Sequence, residues 1–157
     1  MLQKNKKLLL ITGKDDVHAD YVIDKVNQFG KSEDIIRFHP EDALTNLIVE
    51  FTQNDLHIRI KDSNRDFKVT DIGCVWYRKP EEIVIPDHFD EMSKIFVKGQ
   101  IETALKGFYY ASSNYALWIN PRSTAYIARN KIKQLWLAKE LGFTVPDSII
   151  TNNPQLA

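Results

Sequence analysis

The 157-residue chain has almost no cysteine, no net charge, no long hydrophobic run and none of the glycine-rich phosphate loops. Each shortage excludes something. Cys74 is the only cysteine, so no intrachain disulfide forms, and nothing marks an oxidising compartment. It sits in the apolar run "GCVWYR" with no base placed beside it, and an inert buried thiol is the expectation. Lysine plus arginine number 21 and aspartate plus glutamate also 21, so no global field steers the chain toward nucleic acid or an anionic membrane. The amino-terminal "MLQKNKKLLLITG" has the lysines of a secretory signal. Its apolar core "LLLI" is far shorter than the roughly 7–15 residues such a segment needs. No run approaches the roughly 18–20 apolar residues of a membrane span. Cytoplasm is the expected compartment, with neither nucleic acid nor membrane as a partner.

The four histidines, His18, His39, His57 and His88, never fall at ligand spacing on one helix, and a lone cysteine cannot complete a zinc site. No metal ligands are assigned. His18 and Asp20 follow the first strand closely enough to face a cleft, and equally well read as surface residues of a helix start.

What is present is an alternation of strand and helix signals. "KLLLITG" is a continuous apolar run ended by glycine, the pattern of a strand buried on both faces. "DDVHADYVIDKVNQFG" has helix spacing, with Asp15 or Asp16 as cap, Gly30 as stop, and Val17, Tyr21, Val22, Val26 and Phe29 as the apolar stripe. "DIIRFHP" reads as a second strand, which makes a parallel crossover unit. "LIVEFTQNDLHIRIKDSNRDFKV" contains two strand runs split by "QND", an inserted β-hairpin with one solvated face. "DIGCVWYRKP" is another buried strand. A long helix follows from about residue 87 to 114, its core face drawn from Met92, Ile95, Phe96, Leu105, Phe108 and Tyr109. "ALWIN" is a short strand, and "PRSTAYIARNKIKQLWLAKELG" one last helix, capped by Ser123 and stopped by Gly142. "TVPDSIIT" then reads as the first strand of something new. The fold class is α/β, Rossmann-like, with a mostly parallel sheet and an inserted hairpin.

Three side chains stand out for function. The first strand–turn–helix, "ITGKDDVHAD", lacks G-x-G-x-x-G, and Asp15 and Asp16 would repel a pyrophosphate, so a dinucleotide is excluded there. In "VWYRKPEE" a buried strand delivers Arg78 and Lys79 at its carboxyl end, where open α/β sheets bind ligands. An arginine there suits a carboxylate or phosphate. The alternative is that both mark the return to solvent and pair with Glu81 or Glu82. Lys131 in "NKIKQL" has Ile127, Ala128, Gln134 and Leu135 as its helix neighbours. Its ammonium either snorkels from that flank or waits for an anion in a cleft.

"VWYRKP" and "WINPRSTAYIARNKIKQLWLAKELGFTVPDSIITN" together resemble the amino-terminal part of ATP-grasp ligases, above all the microviridin-type peptide maturases. Glutathione synthetase and the ribosomal-protein glutamate ligases are more distant relatives. "DVHADYVIDKVNQFG" and "DIIRFHPED" are similar to that group's pre-ATP-grasp domain. The resemblance implies a pre-ATP-grasp domain over residues 1–121, then a linking helix and the start of a truncated ATP-grasp domain over 122–157. It implies an enzyme that uses ATP and magnesium to activate Asp or Glu carboxylates of a precursor peptide as acyl phosphates, closing amide or ester crosslinks. Arg78, with Lys79, matches the substrate side of the cleft, and Lys131 the lysine that approaches the ATP phosphates. The chain reads as a fragment, with no catalytic residue of its own, no cofactor bound alone and no activity by itself. The implied partners are the missing ATP-grasp domain of the same polypeptide and the precursor peptide; a homodimer is also admitted. Two alternatives stay open: a non-catalytic binding module of the same fold, and a ligase of small substrates like glutathione synthetase or the glutamate ligases.

Overall fold

The computed structural model describes residues 6–30, 34–53, 55–61 and 64–156. They fall into two compact units, 1–119 and 120–157.

In the first unit four strands form one parallel sheet: β1 (Lys7–Ile11), β2 (Ile35–Phe38), β6 (Ile72–Tyr77) and β7 (Leu117–Ile119), in the order β2-β1-β6-β7. Leu9, Leu10 and Ile11 of β1 are all fully buried, which requires cover on both faces of the sheet. Leu9 and Ile11, with Ile36, Phe38 and Val75, point into the main core; Leu10 lies on the opposite face. Helix α1 (Val17–Gln28) connects β1 to β2, capped by the Asp16 side chain accepting from Ala19 N–H at 3.2 Å. Gly30 follows with φ of 68°, a left-handed stop that costs glycine nothing.

The insertion between β2 and β6 is larger than a hairpin. After a 3-10 turn (Pro40–Asp42) and the short helix α2 (Ala43–Asn46), β3 (Leu47–Phe51), β4 (Leu56–Ile60) and β5 (Arg65–Lys68) make a three-stranded antiparallel meander. Asn54 of the expected "QND" turn lies outside the described residues. Leu56, Ile58, Ile60 and Phe67 join the core, while Arg59 pairs with Asp66 at 2.9 Å on the outer face. The one-face-solvated pattern therefore holds. β5 escapes sequence reading because Phe67 is the only apolar residue in "RDFK".

Helix α3 (Glu91–Ser113) starts later than expected, at the Asp90 cap, whose side chain accepts from Ser93 N–H at 3.0 Å. Its core face also differs. Met92, Ile95 and Phe96 are exposed, whereas Leu105, Phe108 and Tyr109 are buried and Ile101 packs against the core. The inward stripe runs Val97–Ile101–Leu105–Phe108–Ser112, a second series at helix spacing. Helix α1 shows the same rotation: Val17, Tyr21, Val22 and Phe29 are exposed, and the stripe toward the sheet is Asp16–Ala19–Ile23–Val26. Both helices carry apolar residues on two sides, and the smaller Ala19 allows closer approach than Tyr21 would.

Cys74 on β6 is free and half-buried, and its burial pushes the thiol pKa up, away from reactivity. No helix among the described residues is long and apolar enough to cross a membrane.

In the second unit the expected single helix is two: α4 (Arg122–Ala128) and α5 (Lys131–Glu140). Ser123 is not the cap. Pro121 precedes α4 without a side-chain cap, and Asn130 breaks the run by accepting from Lys133 N–H at 3.0 Å. "TVPDSIIT" is irregular and mostly exposed, and no strand in the described residues pairs with it.

Candidate functional site at the sheet switch point

From β1 the chain leaves through α1 to β2 on one side; from β6 it leaves through α3 to β7 on the other. The two connections diverge, and between them opens the crevice in which doubly wound sheets hold ligands. The carboxyl ends of β1 and β6 are stitched together there. Arg78 N–H donates to Ile11 O at 3.0 Å, and Gly13 N–H donates to Lys79 O at 2.8 Å.

The side chains at this edge form one network. Asp16, buried at the α1 amino terminus, accepts Thr12 Oγ1–H at 2.5 Å and Arg78 Nε–H at 2.7 Å on Oδ2, and Ala19 N–H on Oδ1. Burial works to raise its pKa, but the bonds from Thr12, Arg78 and Ala19, with the Arg78 charge, outweigh it and hold the carboxyl at about 2. Arg78 itself is part-buried, and its guanidinium carbon lies 5.5 Å from the Trp76 ring centroid. Trp76 and Arg78 share a face because they are two residues apart on an extended segment.

Arg37 on β2 extends the network. It pairs with Asp20 and donates from Nη2 to Gly13 O at 3.1 Å and Lys14 O at 2.8 Å. His39 Nδ1–H donates to Thr12 O at 2.9 Å, which fixes the ring against the end of β1. The loop after β6 closes over this turn. Glu41 Oε1 accepts Lys14 N–H at 2.9 Å, Val84 N–H donates to Glu41 O at 3.0 Å, and Glu81 lies against Gly13. A Cβ on Gly13 would stand 2.6 Å from Glu81 Cγ, so only glycine fits without displacing that side chain.

Of the residues singled out from sequence, Arg78 and Lys79 sit together at this edge. Arg78 pairs with neither Glu81 nor Glu82: Asp16 is its partner, and Glu82 instead takes Lys98 at 2.9 Å. Lys79 is exposed, and its ammonium has no partner among the described residues. Lys131 belongs to the other unit, as the first residue of α5. It is exposed and donates to Gln134 Oε1 at 3.1 Å. Because the helix breaks before it, Ile127 and Ala128 are not its neighbours on a continuous helix. Thr12, Asp16 as anchor, and Arg37 were not read from sequence as site residues. Asp16 is 62 positions from Arg78, so only the topology reveals the pair.

These residues do not by themselves fit a nucleotide or its metal. Asp16 occupies the helix terminus a phosphate would need, Lys131 is one exposed cation, and no three His, Cys, Asp or Glu among the described residues could hold a metal ion together. What the edge can do is meet an anion with Arg78.

The profile of the MvdD pre-ATP grasp domain matches residues 7–126. Among solved structures the chain is similar to macrocyclase MdnB from Microcystis aeruginosa MRC, with 23% identity, a TM-score of 0.83, and 96% of this chain and 49% of that chain covered. Macrocyclase MdnC from the same organism, bound with precursor peptide MdnA, gives 22% identity and a TM-score of 0.81 over 96% and 47%. The Chryseobacterium gregarium RiPP-associated ATP-grasp ligase, in complex with ADP and a leader and core peptide, gives 25% and 0.73 over 96% and 46%. Comparison with curated protein sequences gives no match. The chain thus spans about half the length of the solved structures it matches. A parallel sheet entered by β1–α1–β2, an inserted antiparallel meander and a family profile covering most of the length lead to one assignment: the chain belongs to the MvdD pre-ATP grasp domain family.

Proposed function

We propose that this chain is the amino-terminal part of an ATP-grasp ligase that crosslinks a ribosomal precursor peptide. In that reading residues 1–121 are the pre-ATP-grasp domain, and 122–157 are the linking helices and the start of the ATP-grasp domain. The division of the chain into two compact units between residues 119 and 120 supports the boundary. ATP and magnesium, held by the rest of the polypeptide, supply activation of an Asp or Glu side chain as an acyl phosphate. An amine or hydroxyl then closes the amide or ester. Arg78 and Lys79 meet the peptide carboxylate, Lys131 approaches the ATP phosphates, and the chain alone has no turnover. Cations placed where negative charge gathers are the main catalytic resource of such chemistry.

The observation that carries the reading is Arg78 at the switch point, part-buried and presented from the end of a central strand of a family-matched domain. The test is to supply the whole polypeptide with its precursor peptide, ATP and magnesium, and to weigh the product. Loss of one water per bond formed, dependent on ATP, is the expected outcome. An unmodified precursor with intact ATP would favour the binding module; ligation of a free amino acid instead would favour a small-substrate ligase.

A further inference from the structure

A helix cap needs one side-chain oxygen, and asparagine serves about as well as aspartate. Asp16 uses Oδ1 for that purpose and keeps Oδ2 for Thr12 and Arg78. The capping role therefore leaves the charge of Asp16 unexplained. The Arg78 guanidinium offers Nε–H on its side and two amino groups at its end. Nε is bound to Asp16, the guanidinium carbon lies over the Trp76 ring, and neither Nη1 nor Nη2 has a partner among the described residues.

A carboxylate that is itself fixed by Thr12 and by the helix start is a rigid anchor. Pinning the guanidinium at Nε removes the freedom to rotate its end fork. Asp16 also cancels one positive charge, so the site gains little as a general trap for anions. What it retains is direction: two parallel N–H groups, the geometry that matches a planar carboxylate. We infer that Asp16 is a positioning residue, which aims the Nη1/Nη2 fork of Arg78 at a side-chain carboxylate of the precursor peptide. The identity of that carboxylate rests on the ligase reading; the anchoring of Arg78 does not.

Two measurements separate these parts. In this chain, labelled with nitrogen-15, the Arg78 Nε–H should exchange with water at least about tenfold more slowly than that of exposed Arg129, as a bonded donor does. Equal rates would overturn the anchoring without any mutation. In the whole ligase, Asp16→Asn retains the cap but turns an amide donor toward Arg78 Nε–H. The Michaelis constant for the precursor should rise about tenfold while that for ATP stays within about twofold. Asp16→Asn combined with Arg78→Ala should be no worse than Arg78→Ala alone, because Asp16 acts through the arginine. Additive losses, or an unchanged precursor constant in an active enzyme, would sink the positioning role. A shift in the ATP constant instead would assign the fork to phosphate and overturn the carboxylate. If the wild-type enzyme modified no precursor, the ligase reading and the substrate assignment would fall together, and the exchange experiment would still judge the pair.

Discussion

Replacing Arg78 by alanine should cost this chain stability, and the cost should depend on pH in a defined direction. Asp16 is 7% exposed, and its carboxyl is held at about 2 against an ordinary 3.8. At about 1.4 kcal/mol per pH unit, the anchors, net of the cost of burying the charge, stabilise the folded chain by about 2 kcal/mol at neutral pH. Arg78 is one of three donors and the only cation among them, so its loss should cost about 1–2 kcal/mol. For a chain of this length that lowers Tm by about 3–6 °C. Because the folded pKa is depressed, the stabilisation is fully present above the unfolded value of 3.8 and is lost as pH falls through about 2. Without Arg78 the folded pKa rises, so less stability remains to be lost in acid. Urea unfolding of both proteins, followed by tryptophan fluorescence from pH 7 to pH 2, should show a gap that is widest at neutral pH and closes toward pH 2. A gap of constant size would refute the reasoning, because it would assign the effect to packing of the guanidinium on Trp76.

Under the proposed ligase function, Lys131→Ala in the whole polypeptide should impair ATP use by about 1.5–3 kcal/mol, the range for a charged hydrogen bond. The Tm should be unchanged, since the side chain is exposed and, among the described residues, bonds only to Gln134; normal turnover would make Lys131 a surface residue. The rotated face of α3 gives another expectation, readable by thermal melting. Leu105→Asp should unfold the chain or cost more than about 4 kcal/mol, whereas Phe96→Asp should stay within about 0.5 kcal/mol. Equal effects of the two would return the core face to Met92, Ile95 and Phe96.

The parallel sheet was legible because runs such as "KLLLITG" and "DIGCVWYRKP" are apolar on consecutive residues, short, and ended by Gly or Pro, as strands covered on both faces are. The helix faces were not. In α3 both Met92–Ile95–Phe96 and Val97–Ile101–Leu105 satisfy helix spacing, and periodicity has no means of choosing between two apolar stripes. The choice is made by what the helix meets, here Val75, Tyr77 and Trp118 in the same cluster. The place of Arg78 at a strand end was legible because a buried strand and Pro80 bracket it. Its partner was hidden, since Glu81 and Glu82 are adjacent in sequence and Asp16 is close only after the sheet has formed. Sequence alone would therefore rank Arg78 as a surface residue of little consequence for stability. The break before Lys131 had a signal, Asn130, but a continuous apolar spacing ran across it.

The meander between β2 and β6 has a kinetic consequence. Its strand pairs join neighbours in sequence, such as Ile60 with Arg65, and local pairings of this kind form early. The central pairing of the parallel sheet, Leu9 with Val75, closes a loop of about 65 residues and pays a larger entropy before any contact rewards it. β1 and β2 must therefore wait for β6 to gain their full cover, and β6 is the strand that carries Arg78. The arginine reaches Asp16 only in the step that pairs β1 with β6. A partly folded chain, however well formed its meander, therefore presents no oriented Arg78 fork.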